Sequence, residues 1–330
     1  MYKITVIPGD GIGREVMEGA KLILDELNLN LSINEANAGN GCFKKTGTTL
    51  PEETLKKAKS SDAVLFGATT STPNEKSPII TLRKELKTYA NLRPIKSFKG
   101  VKCIYDDLDF LIVRENTEGL YSQKEEIIKE NQEIHALRII TKKASEKIAE
   151  IGFKQCENKN YKNITCVHKS NVLKKTDGIF KESFYKIAKK YPNIKTNDYY
   201  VDATAMYLIR KPQEFGVIVT SNLFGDILSD EAAGLVGGLG FAPSANIGDE
   251  HGLFEPVHGS APDISGKNIS NPTAMLLTVS IMLDYLKEYE ISKNLKIAIE
   301  KTLKEKKVLT PDLGGINSTI EMTKAIKNKL

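Results

Sequence analysis

Apolar residues in this chain fall into two patterns: short unbroken runs and longer stretches with one apolar stripe. Lys3 to Ile7 is a short β-rich run, after which Gly13 to Leu27 sets Val16, Ala20, Ile23, Leu24 and Leu27 on one face at helical spacing. Ala63-Val64-Leu65-Phe66-Gly67, Phe110-Leu111-Ile112-Val113, Ile164-Thr165-Cys166-Val167 and Val217-Ile218-Val219-Thr220 are continuously apolar or β-branched. Such runs predict strands buried on both faces, and their alternation with helical stretches predicts an α/β architecture around a largely parallel sheet. A further helical segment spans Ile80 to Ala90 ahead of Arg93-Pro94, and Gly234, Gly237, Gly238 and Gly240 cluster before Ala242-Pro243-Ser244.

Length changes the picture first. A single core stops growing at roughly 250–300 residues, so 330 residues predict two domains or one large unit with insertions. Charge excludes more: 47 Lys and Arg against 42 Asp and Glu leave only +5, interleaved along the chain, which predicts no nucleic-acid partner. No stretch reaches the roughly 18 consecutive apolar residues of a membrane span, and the N-terminus has no signal-peptide apolar region, so no membrane association and a cytoplasmic location are expected. Cys42, Cys103, Cys156 and Cys166 form no C-x-x-C pair, and the histidines no H-x-x-x-H spacing, so a metal would have to sit on carboxylates.

Candidate chemistry is spread over several motifs. Gly9-Asp10-Gly11-Ile12-Gly13 follows a strand, but the dinucleotide fingerprint needs glycine where Arg14 stands, so the Rossmann pattern is not met. Arg83, Arg93 and Arg114 each flank a predicted element; together they would suit a di- or tricarboxylic acid through bidentate contacts, and singly they would serve as surface ion pairs. Asp226 and Asp230, at i and i+4, repel on one helix face unless a cation lies between them; Mg²⁺ or Mn²⁺ fits, with Asp202 as a third oxygen, and a solvated acidic face is the alternative. Beside such an ion Lys169 could act as base and Tyr121 as acid.

The set Leu82-Arg83, Ala90-Asn91-Leu92-Arg93-Pro94, Arg114-Glu115-Asn116-Thr117-Glu118-Gly119-Leu120-Tyr121, Lys169-Ser170-Asn171-Val172, Asn222 to Asp230 and His258-Gly259-Ser260-Ala261-Pro262-Asp263 resembles the isocitrate/isopropylmalate dehydrogenase family of β-decarboxylating dehydrogenases, in order and over nearly the whole chain. The resemblance implies the two-domain fold of that family rather than a Rossmann fold, with the active site in the cleft between domains. It implies a discontinuous cofactor domain of residues 1–88 and 237–330, and a substrate, metal and dimerisation domain of residues 89–236. It further implies a homodimer or tetramer with shared sites: Arg83, Arg93 and Arg114 on the malate carboxylates, and Asp226 and Asp230 with a partner's Asp202-equivalent copy on Mg²⁺ or Mn²⁺. Lys169, also contributed across subunits, helps remove the hydroxyl proton, and Tyr121 protonates C3.

Cofactor and substrate follow from shorter segments. By resemblance, Glu255, His258, Gly259, Ser260, Ala261, Asp263 and Ile264 wrap the adenosine, with Asn271 near the adenine and Asn222 also at the cofactor. NADP-using relatives commonly carry Lys-Tyr where Asp263-Ile264 stands; a carboxylate there accepts from ribose hydroxyls and repels a 2′-phosphate, so NAD is expected. Ser77-Pro78-Ile79-Ile80-Thr81-Leu82-Arg83 is most similar to the homoisocitrate dehydrogenase branch: Ser77 points to a distal carboxylate, Ile79 and Ile80 to an apolar tail. Homoisocitrate, with its longer homologues, is thus the expected substrate, with 3-isopropylmalate as the alternative and isocitrate behind both. Non-catalytic regulatory subunits of the family typically lose acid, base or metal positions, and this chain retains Tyr121, Lys169, Asp202, Asp226 and Asp230.

Overall fold

The continuous apolar runs do become strands, and most of them run parallel. The computed structural model describes Met1–Leu330 throughout. In chain order its strands are β1 (Tyr2–Gly9), β2 (Leu31–Glu35), β3 (Ala63–Ala68), β4 (Ala90–Lys96), β5 (Asp109–Glu115), β6 (Glu125–Lys129), β7 (Glu133–Ala136), β8 (Asn163–His168), β9 (Lys195–Tyr200), β10 (Val217–Thr220), β11 (Pro243–Ile247) and β12 (Gly252–Pro256). The helices are α1 (Ile12–Glu26), α2 (Asn40–Thr46), α3 (Glu52–Lys59), α4 (Pro78–Glu85), α5 (Lys142–Asn158), α6 (Thr176–Ala188), α7 (Val201–Arg210), α8 (Asn222–Leu235), α9 (Thr273–Tyr285), α10 (Tyr289–Glu305) and α11 (Thr319–Lys327).

The chain divides into two units: unit 1 holds residues 1–88, 97–106 and 236–330, and unit 2 holds residues 89–96 and 107–235. In unit 1 the strands lie in the order β2-β1-β3-β12-β11. All are parallel neighbours except β11, which runs antiparallel to β12. Every residue of β3 is buried, as a strand covered on both faces requires. Its side chains Val64 and Phe66 share a core cluster with Ile7, Leu82 and Leu253. On α1 the stripe Val16, Ala20, Ile23 and Leu24 is buried, and α11 begins with a capping box between Ser318 and Glu321.

Unit 2 orders its strands β4-β5-β10-β8-β9, with β4 antiparallel to β5 and the others parallel. Phe153 of α5 fills the space toward α6, its ring centroid 5.1 Å from Phe184 and 5.0 Å from Tyr191. A separate antiparallel ribbon, β6 with β7, is exposed at every position.

Two expectations change. The helical segment reaches Glu85, not Ala90: Lys87 adopts a left-handed φ of 52°, and Ala90 already opens β4. Residues 97–106 group with unit 1, although they lie within the span 89–236 read as the second domain. The physical reason is aromatic and backbone packing, because Phe98 sits 5.9 Å from Phe241 and Gly100 lies against the backbone of Leu303.

Candidate active site

In unit 2 the site begins with the register of two strands. Asn91 of β4 faces Arg114 of β5, and cross-strand partners share a face, as do residues two apart along a strand. Arg93 and Arg114 therefore project from the same side, toward α8. Gly225 permits the close approach: a Cβ there would stand 2.6 Å from Arg114 Cγ.

Along α8, Asn222, Asp226, Ser229 and Asp230 receive these arginines. Arg93 donates from Nη1 to Ser229 Oγ (2.6 Å) and Asp230 Oδ1 (3.0 Å), and from Nη2 to Asp226 Oδ1 (3.2 Å). Arg114 donates from Nη1 to the same Asp226 oxygen, and from Nε and Nη2 to Asn222 Oδ1 at 3.1 and 2.8 Å. Tyr121, in a single 3₁₀ turn at Leu120–Ser122, donates its hydroxyl to Asp226 Oδ2, while the Arg114 guanidinium lies 5.0 Å from its ring centroid.

Electrostatics follow from depth. The Arg114 side chain is 1% exposed and Arg93 8%, whereas Asp226 and Asp230 are 30% and 54% exposed. Buried cations are thus neutralised by carboxylates that still reach solvent. Burial raises the Tyr121 phenol, and the hydrogen bond to Asp226 with that carboxylate's charge raises it further, so the hydroxyl stays protonated. Burial likewise raises the Asp230 carboxyl, opposed by the Arg93 charge and reinforced by Asp226.

Lys169 and Asp202 form a separate pair in the same unit. Lys169 follows β8, Asp202 lies in the first turn of α7, and Nζ donates to Oδ1. Within the single chain no three His, Cys, Asp or Glu side chains gather closely enough to cage a metal. The donors that do gather, Asp226 and Asp230, are accessible carboxylates, the ligand type that hard divalent ions take while retaining water.

Unit 1 carries the remaining predicted residues. On α4, Ile79, Leu82 and Leu86 turn to the core, leaving Ile80 and Arg83 on another face. Ile79, expected with Ile80 to face an apolar tail, is partly buried against this core, and Ile80 lies one position further round the helix. Ser77 precedes the helix without capping it. Arg83 donates from Nη2 to Glu255 Oε1 (2.7 Å), which also accepts from Asn246 (2.7 Å), while Arg83 Nε is buried without an acceptor.

The segment after Glu255 is held against the Gly9-Asp10-Gly11 turn. Ile12 donates its N–H to Ser260 O at 2.9 Å, Thr70 Oγ1 donates to Ser260 Oγ at 2.8 Å, and Gly11 has a φ of 57° that brings it against the Ser260 backbone. Ala261 has a φ of 38°, Asp263 is exposed, and Ile264 is half-buried. His258 Nε2 is buried with no partner, and burial lowers its pKa, leaving the ring neutral. Asn271 is engaged twice, donating to Asp312 Oδ2 (2.9 Å) and accepting from Thr273 N–H (2.9 Å).

Asn222, read from sequence as a cofactor residue, lies in unit 2 between Arg114 and the Glu118 carbonyl, to which it donates at 3.1 Å. Several supporting residues were not singled out by sequence. Asp10 accepts the amides of Asn40, Gly41 and Thr70 at 2.7–3.0 Å, and Ser229 anchors Arg93. For Ser229 a signal existed, its place seven residues after Asn222 on the same helical face.

The chain matches a family described as isocitrate/isopropylmalate dehydrogenase over residues 3–326. It is 56% identical over 328 residues to a 3-isopropylmalate dehydrogenase of Methanothermobacter thermautotrophicus, covering 99% of this chain and 98% of that one. It is 50% identical over 343 aligned positions to a homoisocitrate dehydrogenase of Methanocaldococcus jannaschii, covering 99% and 97%. Its fold is similar to the crystal structure of isocitrate dehydrogenase from Methylococcus capsulatus, with a TM-score of 0.96, 40% identity, and coverage of 100% and 99%.

Proposed function

We propose that this chain, which belongs to the isocitrate/isopropylmalate dehydrogenase family, oxidatively decarboxylates a 3-substituted malate with NAD and Mg²⁺ or Mn²⁺. The observation that carries the proposal is the cluster of Arg93, Arg114, Tyr121, Asp226 and Asp230. Its buried guanidiniums recognise the malate carboxylates bidentately, and Arg83 is assigned to the same work by its motif.

Lys169 would take up the 2-hydroxyl proton as C2 is oxidised, with NAD, when bound, serving as the hydride acceptor, and the product would be a ketone β to the 3-carboxylate. The bond from C3 to that carboxylate then breaks, CO₂ departs, and its electrons form the C2–C3 double bond of an enolate. Tyr121, kept protonated by burial, delivers its proton to C3. Asp226 and Asp230, with Asp202 of a second copy, would hold a divalent ion, which would supply Lewis-acid stabilisation of developing negative charge. The arginines contribute orientation of the departing group.

For the cofactor, Asp263 on an exposed loop supports NAD, since its charge opposes a 2′-phosphate. For the substituent, 3-isopropylmalate is the better supported, by Ile80 on the Arg83 side of α4 and by the 56% identity to an enzyme of that name. Homoisocitrate is the second reading, favoured by the uncapped Ser77 hydroxyl as a donor to a distal carboxylate. A second copy of the chain is supported by exposed apolar side chains on unit 2: Val172, Met206, Ile209 and Ile227 are 66, 43, 58 and 58% exposed. No helix is long and apolar enough to cross a membrane.

The test is turnover of 3-isopropylmalate, homoisocitrate and isocitrate with NAD or NADP and Mn²⁺, before and after exhaustive chelation. NADH and CO₂ should form together from one of the first two and cease on chelation. Full activity without metal, or NADH with the 3-carboxylate retained, would overturn the reading.

A further inference from the structure

Lys169 stands on a turn whose main chain is fixed from both sides by buried side chains that the proposed chemistry does not use. Asp177, 1% exposed at the start of α6, accepts the Lys169 N–H at its Oδ2 (2.6 Å). His168, also 1% exposed, accepts the next amide, Ser170 N–H, at Nδ1 (3.1 Å). The Lys169 carbonyl in turn accepts from Val172 and Leu173 at 3.0 and 2.8 Å. Both main-chain polar groups of Lys169 and the amide that follows it are thus occupied, which fixes the backbone from which its side chain moves.

Each of the two acceptors has its own support. Asp177 Oδ1 accepts from Arg138 Nη1, whose guanidinium also donates to Thr176 Oγ1 (3.0 Å) and Ser221 Oγ (3.1 Å) and lies 5.1 Å from the Phe224 ring centroid. A buried carboxylate is strongly disfavoured unless paired, and Arg138 supplies that pairing. His168, accepting at Nδ1, must carry its proton on Nε2, which donates to Asp198 Oδ2 at 2.9 Å. Asp198 also accepts from Lys181 (2.8 Å) and Tyr185 (2.5 Å). The His168 ring meets Tyr200 edge-on at 5.5 Å, and Lys169 Nζ lies 5.6 Å from that same Tyr200 ring centroid.

A flexible four-carbon stem carries a large rotamer entropy, so its ammonium can be aimed only if its Cα is fixed. We infer that Asp177, backed by Arg138, and His168, backed by Asp198, are positioning residues that clamp the Lys169 backbone for proton transfer. The inference rests on the role given to Lys169 above, and neither Asp177 nor His168 touches substrate.

The clamp is tested in the full-length protein with NAD, Mn²⁺ and whichever of 3-isopropylmalate and homoisocitrate is turned over faster. Asp177→Ala should lower kcat about 100-fold, the scale of an ångström's misplacement, and leave both KM values within about twofold. With substrate deuterated at C2, the isotope effect on kcat should rise as the chemical step becomes limiting. In a Lys169→Met background the same substitution should change kcat by less than about twofold, because a clamp acts only through the residue it holds. Asp177→Asn, which keeps an acceptor without the charge, is the variant to use if alanine fails to fold, and should lower kcat about fivefold with the same dependence on Lys169. Equal losses with and without Lys169, or losses confined to KM, would overturn the clamp. If Lys169→Met itself left kcat unchanged, the role assigned to Lys169 would fail instead.

Discussion

The two units treat their charged site groups in opposite ways. In unit 2, Arg93 and Arg114 are buried and almost fully occupied by Asp226, Asp230, Asn91, Asn222 and Ser229. In unit 1, Arg83 Nε and His258 Nε2 are buried without any partner. A leftover buried polar atom costs free energy, so unit 1 carries unsatisfied polar groups, while the cations of unit 2 already have their donors taken up. The first arrangement leaves donors unspent. The second is a closed circuit, stable alone and opened by a competing carboxylate.

That contrast predicts the largest effect at Asp226. Asp226→Ala takes away the carboxylate that neutralises buried Arg114, and breaking such a pair should destabilise unit 2 by about 3–5 kcal/mol while abolishing turnover. Chemical denaturation followed by a probe in unit 2 checks it; a loss below about 1 kcal/mol would mean the circuit is not closed.

A smaller effect is expected at Asp198, where pH sharpens the comparison. Burial works to raise this carboxyl, but hydrogen bonds from Lys181, Tyr185 and His168 and the Lys181 charge outweigh it and hold the group at about 2 instead of 3.8. Cys166, a fully buried thiol pushed up by burial, is the remaining titratable neighbour and stays neutral. A depressed carboxyl stabilises the fold above its unfolded pKa and loses that contribution as pH falls through the folded one. The difference in unfolding free energy between wild type and Asp198→Asn should thus be on the order of 2 kcal/mol at pH 7 and shrink as pH falls from 4 toward 2. A pH-independent difference would remove the charge from the explanation.

On the exposed loop of unit 1 that carries Asp263, stability should not respond at all. Asp263→Lys with Ile264→Tyr should move the NADP-to-NAD preference by roughly tenfold, about 1.4 kcal/mol, at an unchanged melting temperature. A wild type that already prefers NADP would contradict it. Smallest of all is Ser77→Ala, which should leave 3-isopropylmalate turnover within about twofold but lower kcat/KM for homoisocitrate by about tenfold, the worth of one hydrogen bond to a charged group. Equal effects on both substrates would show that the hydroxyl does not read the tail.

How much of this was legible in the sequence depended on whether a residue's work is local. β1, β3, β5, β8 and β10 announced themselves as continuous apolar runs, and Asp226 with Asp230 by their spacing on one helix. β6 and β7 did not, because a ribbon exposed on both faces carries no alternation. α9 is buried nearly all round, so no stripe marks it. Motif resemblance singled out Arg93, Arg114 and Tyr121, and the structure joins them. Asp177 and Arg138 escaped because they are 39 positions apart and act on a backbone amide, which leaves no imprint on residue type.

Gly225 has a consequence that reaches beyond packing. A methyl group there would stand 2.6 Å from Arg114 Cγ and 2.7 Å from its Cβ, so a hydrogen atom is all that separates helix from strand. The catalytic machinery can therefore be detuned without altering a single charge. Adding one carbon to α8 would act as a wedge, shifting Asn222 and Asp226 together and changing the angle at which a guanidinium is presented. The dimension that sets this geometry is the thickness of an absent side chain, and no inventory of polar groups would reveal it.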